Sequence, residues 1–110
     1  GKPLMSFGVM GGHMQPQGHV QMVTRMIDYG QNPQSASDAP RWVVNPDGSI
    51  GLEEGLSRTI GEELTKRGHR IAAAEAINFA FGGAQLIWRQ ADGSYVAGSD
   101  HRKDGGAAGY

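Results

Sequence analysis

Between Phe7 and Gln21 the chain reads FGVMGGHMQPQGHVQ, and few backbone paths satisfy such a stretch. Leu4, Met5, Phe7, Val9 and Met10 form a short apolar run of the kind that makes a buried strand. Two adjacent glycines, Gly11 and Gly12, end it. A helical pattern starts within a few residues, with Pro16 placed at N1 of its first turn. A strand, a glycine pair and a helix bring bare backbone N–H groups to one corner. Glycine reaches positive φ and presents no Cβ to an approaching ligand. The helix that follows adds unpaired donors and a partial positive charge. Such a corner can hold a phosphate, a carboxylate or the oxyanion of an acyl-transfer intermediate. By spacing alone a tight turn before a helix is the better reading, because a lone glycine pair is a weak motif.

The rest of the chain alternates helix and strand signals. The helix from about Gln15 to Tyr29 carries Val20, Val23, Met26 and Ile27 as its apolar stripe, and Gly30 is placed to stop it. Asn32 and Pro33 form an N-cap and N1 pair for a short helix that ends before Pro40. Trp42, Val43 and Val44 start a strand. Asn45-Pro46-Asp47-Gly48 is a turn, and Ile50 and Leu52 return as the second arm of a hairpin. Ser57 is the expected N-cap of a further helix, with Ile60 and Leu64 on its buried face and Gly68 as its stop. His69 to Ala74 reads as a strand or a covered loop. Ala84 to Arg89 and Tyr95 to Ala97 flank the turn Ala91-Asp92-Gly93 as a second hairpin. The order predicts an α+β fold, with strands paired in one sheet and helices over one face.

Composition narrows the function. Only 38% of residues are hydrophobic and 18 of 110 are glycine, which points to close backbone approaches or to a core completed by other chain. Net charge is −1, and the 10 basic residues are scattered rather than striped, so no nucleic-acid partner is expected. No apolar run reaches membrane-spanning length. The absence of cysteine excludes disulfides, thiolate catalysis and thiolate zinc sites. His13 and His19 stand six apart, and His69 and His101 are isolated, so no metal is expected. The carboxylate neighbours Glu53-Glu54 and Glu62-Glu63 point apart rather than forming a dyad. No serine sits in a Gly-x-Ser-x-Gly setting. Ser99-Asp100-His101-Arg102 has the composition of a catalytic trio, but residues this close rarely form one, and a structural tether is the expected role.

GGHMQPQGHVQ at residues 11–21, followed by DYG, NPQSASDAPRW and the tail GSDHRKDGGAAGY, resembles the C-terminal part of the γ-glutamyltransferase (γ-glutamyltranspeptidase) family. The resemblance covers nearly the whole chain and keeps the family's order. It implies a share in the four-layer αββα sandwich of the N-terminal-nucleophile hydrolases, with a long helix after Gly11-Gly12. It also implies that residues 1–110 are a single segment of a longer catalytic domain. The partners would be the large subunit, the N-terminal part of the small subunit and a small-molecule γ-glutamyl substrate such as glutathione. Autocleavage would expose a threonine nucleophile upstream, and transfer to water, amino acids or peptides would pass through an acyl-threonine, with no cofactor. Gly1 cannot be that nucleophile, and no other nucleophile is expected in this chain, so the isolated chain is expected to be inactive. On this resemblance Gly11 and Gly12 supply oxyanion-hole N–H groups, and His13 and Gln15 border the substrate pocket. Family members are often periplasmic or extracellular, and this segment carries no targeting signal. Two alternatives stand beside this reading. One is a non-catalytic module that self-associates through strand edges. The other is a relative with another acyl substrate, such as a cephalosporin acylase, because GHMQPQGH departs from the Gly-Gly-Ser-Arg form of the same corner.

Overall fold

The computed structural model describes residues 1–56, 58–72 and 81–110. In chain order these form strand β1 (Met5–Met10), helix α1 (Met14–Val23), helix α2 (Pro33–Asp38), strands β2 (Trp42–Val44) and β3 (Ile50–Leu52), helix α3 (Arg58–Lys66), and strands β4 (Gly83–Arg89) and β5 (Tyr95–Ser99). The described strands form two sheets rather than the one expected: a three-stranded sheet of order β1-β4-β5, with both pairings antiparallel, and the separate hairpin β2-β3. Met5 to Met10 lie opposite Trp88 to Gly83. Gln85 to Arg89 lie opposite Ser99 to Tyr95, as expected for the hairpin around Asp92-Gly93.

Strand side chains alternate between faces, and here one face is covered by helices. Val9, Ala84 and Leu86 are buried there with Met22, Met26 and Ala36, and Met5, Phe7 and Trp88 pack around them. Each of the fully buried Val, Leu and Met side chains here contributes about 1.5–3 kcal/mol. On the other face Met10, Ile87 and Tyr95 remain exposed. One helix layer on one sheet is half of an αββα arrangement. A smaller cluster of Met14, Val43 and Phe81 lies under the β2–β3 hairpin, whose arms pair Trp42 with Leu52 and Val44 with Ile50.

Several local expectations need correction. Helix α1 starts at Met14, because the carbonyls of Gly11 and Gly12 accept from the amides of Met14 and Gln15, each at 3.0 Å. Pro16 is therefore the third helical residue rather than N1, still within the turn where a missing N–H costs nothing. After Val23 the helix widens into a π-helical turn, Thr24–Asp28, closed by Tyr29 N donating to Thr24 O at 3.2 Å, before Gly30 ends it at φ +64°.

The apolar stripe also turns out differently. Val20 and Ile27 are 60% and 50% exposed, and the buried face of α1 is Met14, Gly18, Gln21 and Met22, with Met26 continuing it. A Cβ on Gly18 would fall 2.6 Å from Val9 Cγ1. The sheet thus packs on the glycine side of the helix, and the valines face out. On helix α3, Ile60 is exposed, no residue is buried, and Leu64 is only partly covered. Its expected cap, Ser57, lies outside the described residues. In the expected strand or loop from His69, only Ile71 makes a bridge, parallel to Ile50; Ala73 and Ala74 lie outside the described residues.

Two glutamines join α1 to the hairpin. Gln17 accepts from Val44 N (2.7 Å) and donates to Val44 O (3.2 Å). Gln21 accepts from Trp42 N (3.1 Å) and donates to Trp42 O (2.8 Å). Four helical residues rise about 6 Å and two strand residues rise about 6.6 Å, so side-chain amides one turn apart match alternate backbone pairs. They substitute for a neighbouring strand along the edge of β2. Helix α2 is capped as expected, with Asn32 Oδ1 accepting from Ser35 N at 2.9 Å.

Candidate active site

The end of β1 and the start of α1 meet at Gly11 and Gly12, which adopt φ +130° and +59°. A Cβ on Gly11 would stand 3.1 Å from Met14 Cβ and 3.2 Å from Gly82 Cα, whereas one on Gly12 would meet nothing within 4 Å. Gly11 is packed and Gly12 opens outward. The peptide bonds here are trans, so each carbonyl and the following N–H point in opposite directions. Met10 O faces Gly82, since a Cβ there would fall 2.2 Å from it. Gly11 O is held by Met14 N. The N–H groups of Gly11 and Gly12 are therefore turned away from these neighbours. Among the described residues no hydrogen bond uses either.

Along the same outer edge of β1, Val9 N–H is already taken. It donates to His19 Nε2 at 3.0 Å, and the His19 ring meets Phe7 edge-on with centroids 5.2 Å apart. Gln15 and His19 border an open groove of about 420 Å³ with Gly8, Met10, Gly83 and Lys103. His13 does not line it. It is exposed at the helix start without a side-chain cap, and its carbonyl accepts from Gln17 Nε2 at 3.2 Å. Gln15 thus lines this groove while His13, Gly11 and Gly12 do not. Among the described residues no three His, Asp or Glu side chains converge as metal ligands, and no helix is long and apolar enough to cross a membrane.

Behind the corner lies a buried polar seam that the sequence reading did not anticipate as one unit. Arg41 and Asp100 are fully buried and paired at 2.6 Å. Arg41 also donates to Phe81 O (2.9 Å) and Ser37 O (3.1 Å). The same Asp100 Oδ2 accepts from Ala84 N at 2.6 Å, while Oδ1 accepts from Arg102 N and Nη1 at 2.9 and 3.0 Å. Arg102 forks onto Glu53 at 2.5 and 2.6 Å. Arg25, from the π-helical turn, donates to the carbonyls of Ala36, Ala39 and Pro40. The expected tether at Ser99 to Arg102 and the loop at Asp38 to Arg41 are thus one structure. His101 Nδ1 adds a contact to Asp38 at 3.1 Å. Arg41 Nε and Ser37 Oγ are buried there without a partner among the described residues.

Burial pushes the Asp100 carboxyl up, but hydrogen bonds from Ala84, Arg102 and Arg41 outweigh it and hold the group at about 2. Burial lowers Arg102, yet Glu53 and Asp100 carry it above its ordinary value. Arg25 is lowered by burial and by the charges of Arg41 and Arg102. A sequence signal for the seam existed in the charged residues at 41, 53, 100 and 102, but their pairing spans 59 positions and has no local period.

A family model described as gamma-glutamyltranspeptidase matches residues 1–110. Among curated proteins, the glutathione hydrolase-like YwrD proenzyme of Bacillus subtilis strain 168 is 37% identical over 99% of this chain and 22% of its own length. The oxamate amidohydrolase proenzyme of Klebsiella pneumoniae is 31% identical over 97% of this chain and 21% of its own. Among solved structures, cephalosporin acylase from Bacillus halodurans superposes with a TM-score of 0.91 at 42% identity, covering 99% of this chain and 20% of that one. The chain spans about a fifth of the length of these relatives.

Proposed function

Because the chain belongs to the gamma-glutamyltranspeptidase family, we propose that residues 1–110 are the C-terminal segment of a catalytic domain that cleaves γ-glutamyl amides such as glutathione. The remainder of the same protein, a large subunit and the N-terminal part of the small one, supplies the threonine nucleophile and most of the substrate grip. The threonine hydroxyl attacks the amide carbonyl, and the threonine's own amine takes its proton. The carbonyl oxygen becomes an oxyanion held by the N–H groups of Gly11 and Gly12. Collapse expels the amine, which recovers that proton, and leaves an acyl-threonine. Water, an amino acid or a peptide then takes the acyl group and regenerates the hydroxyl. No cofactor enters.

The observation that carries this reading is the pair of successive N–H groups at Gly11 and Gly12, turned away from their neighbours, with open space at Gly12. A preorganised donor of this kind is worth about 2.7–4 kcal/mol in the transition state. Valine at φ +59° is strained, and the exposed Gly12 can distort without emptying the core. In the complete protein Gly12→Val therefore lowers kcat for a γ-glutamyl anilide about 10²–10³-fold and harms catalysis more than folding. A variant that turns over normally would sink the oxyanion assignment. The isolated chain is expected to be inert toward the same anilide, and turnover by it would contradict the placement of the nucleophile elsewhere.

A second reading keeps the chemistry and changes the acyl donor. It is favoured by the cephalosporin acylase at 42% identity and the oxamate amidohydrolase at 31%. A donor panel of γ-glutamyl anilide, a cephalosporin side-chain amide and oxamate separates the two readings by kcat/KM.

A further inference from the structure

Gly82, the residue before β4, has φ +74°, and a Cβ there would fall 2.2 Å from Met10 O and 3.1 Å from Val9 Cγ1. Its own Cα stands 3.2 Å from where a Cβ on Gly11 would be. Met10 O and Gly11 N–H belong to one planar trans peptide, so whatever fixes the oxygen fixes the opposite direction of the N–H. The segment carrying Gly82 is suspended at both ends from one buried ion pair. Arg41 Nη1 holds Phe81 O at 2.9 Å, and Asp100 Oδ2 holds Ala84 N at 2.6 Å while pairing with Arg41 at 2.6 Å. Asp100 and Arg41 are fully buried, so the suspension is shielded from water.

From these contacts we infer that Gly82, hung from the Arg41–Asp100 pair, is a positioning residue that sets the direction of the Gly11 N–H. Gly82 touches no substrate. It acts by leaving room for the Met10 carbonyl at one orientation of the Met10–Gly11 peptide. Any side chain there drives the carbonyl away and swings the N–H with it. The inference rests on the proposed oxyanion role of Gly11 and Gly12.

The test compares Gly82→Ala, Asp100→Asn and Gly12→Val in the complete protein. Gly82→Ala is expected to lower kcat for a γ-glutamyl anilide about 10²-fold, the cost of misplacing a reacting group by about 1 Å, with KM within about twofold. A crystal structure of that variant is expected to show the Met10–Gly11 peptide rotated. Asp100→Asn keeps the shape but loses the charge and one acceptor oxygen, and a smaller fall confined to kcat is expected; it decides the matter if Gly82→Ala does not fold. Loss of activity in Gly12→Val with normal kcat in Gly82→Ala or, failing that, in Asp100→Asn would overturn the inference and leave the proposed function standing. A wild-type protein that cleaves no amide would defeat the proposed function instead. The crystal structure then still decides, and an unmoved Met10–Gly11 peptide overturns the positioning role.

Discussion

Arg102 with Glu53 and Arg58 with Glu62 are the same chemical pair in two settings. The first is 2% and 9% exposed and bonded at two points, and it joins residues 49 apart. The second is 94% and 58% exposed, a single contact of 3.2 Å one turn along helix α3. In water an ion pair gains little, because solvent already satisfies both charges. In the seam the charges have lost their water and depend on one another and on the carbonyls of Ser37 and Ala39, which Arg102 also holds. The contrast separates a surface where charges keep a helix soluble from an interior where they fix the relation of three chain segments. The glycine corner is attached to the second kind.

The largest effect expected from that contrast is at Arg41. Arg41→Ala takes from the buried Asp100 one of its two arginine partners and costs about 3–5 kcal/mol, read as a fall in the urea midpoint followed through Trp42 and Trp88 fluorescence. A loss below about 1 kcal/mol would place the seam with the surface pairs.

Acid dependence comes next. Asp100 is held at about 2 against an ordinary value of 3.8, so the folded state binds its proton more weakly than the unfolded one. The resulting stability, about 2 kcal/mol, is present in full above pH 4 to 5 and is lost as pH falls toward 2. Unfolding measured across that window is expected to show this slope in the wild type and not in Asp100→Asn. An unchanged slope in the variant would assign the acid sensitivity elsewhere.

The smallest effect belongs to α3. Glu62→Ala removes its pair with Arg58 at a cost of at most about 0.5 kcal/mol, and added salt should erase most of it. A larger, salt-resistant loss would mean that α3 is not the open surface helix its exposure indicates.

Where local chemistry decides, the sequence was readable. The hairpin at Asp92-Gly93, the cap at Asn32, the stops at Gly30 and Gly68 and the strand before Gly11 all follow from turn geometry, capping and alternation. Failures came where packing partners decide. Val20 and Ile27 look like a core stripe, but Gly18 lets β1 approach from another side. Gln21 is buried because its amide meets the backbone of Trp42, which hydropathy does not register. Ile60 and Leu64 have helical spacing, yet α3 buries neither fully. The Arg41–Asp100 pair belongs to the same class, since nothing local announces a partner 59 positions away. The glycine corner was visible as backbone geometry. Its dependence on Gly82 was not, because that contact exists only once β1 and β4 are paired.

The most direct test of the proposed chemistry is a mass spectrum of the complete purified protein, taken alongside a γ-glutamyl anilide assay. Two polypeptides divided at a threonine, with turnover, are the predicted result and would place residues 1–110 in the smaller one. An intact single chain without turnover would contradict the account and leave a family scaffold that has lost its chemistry.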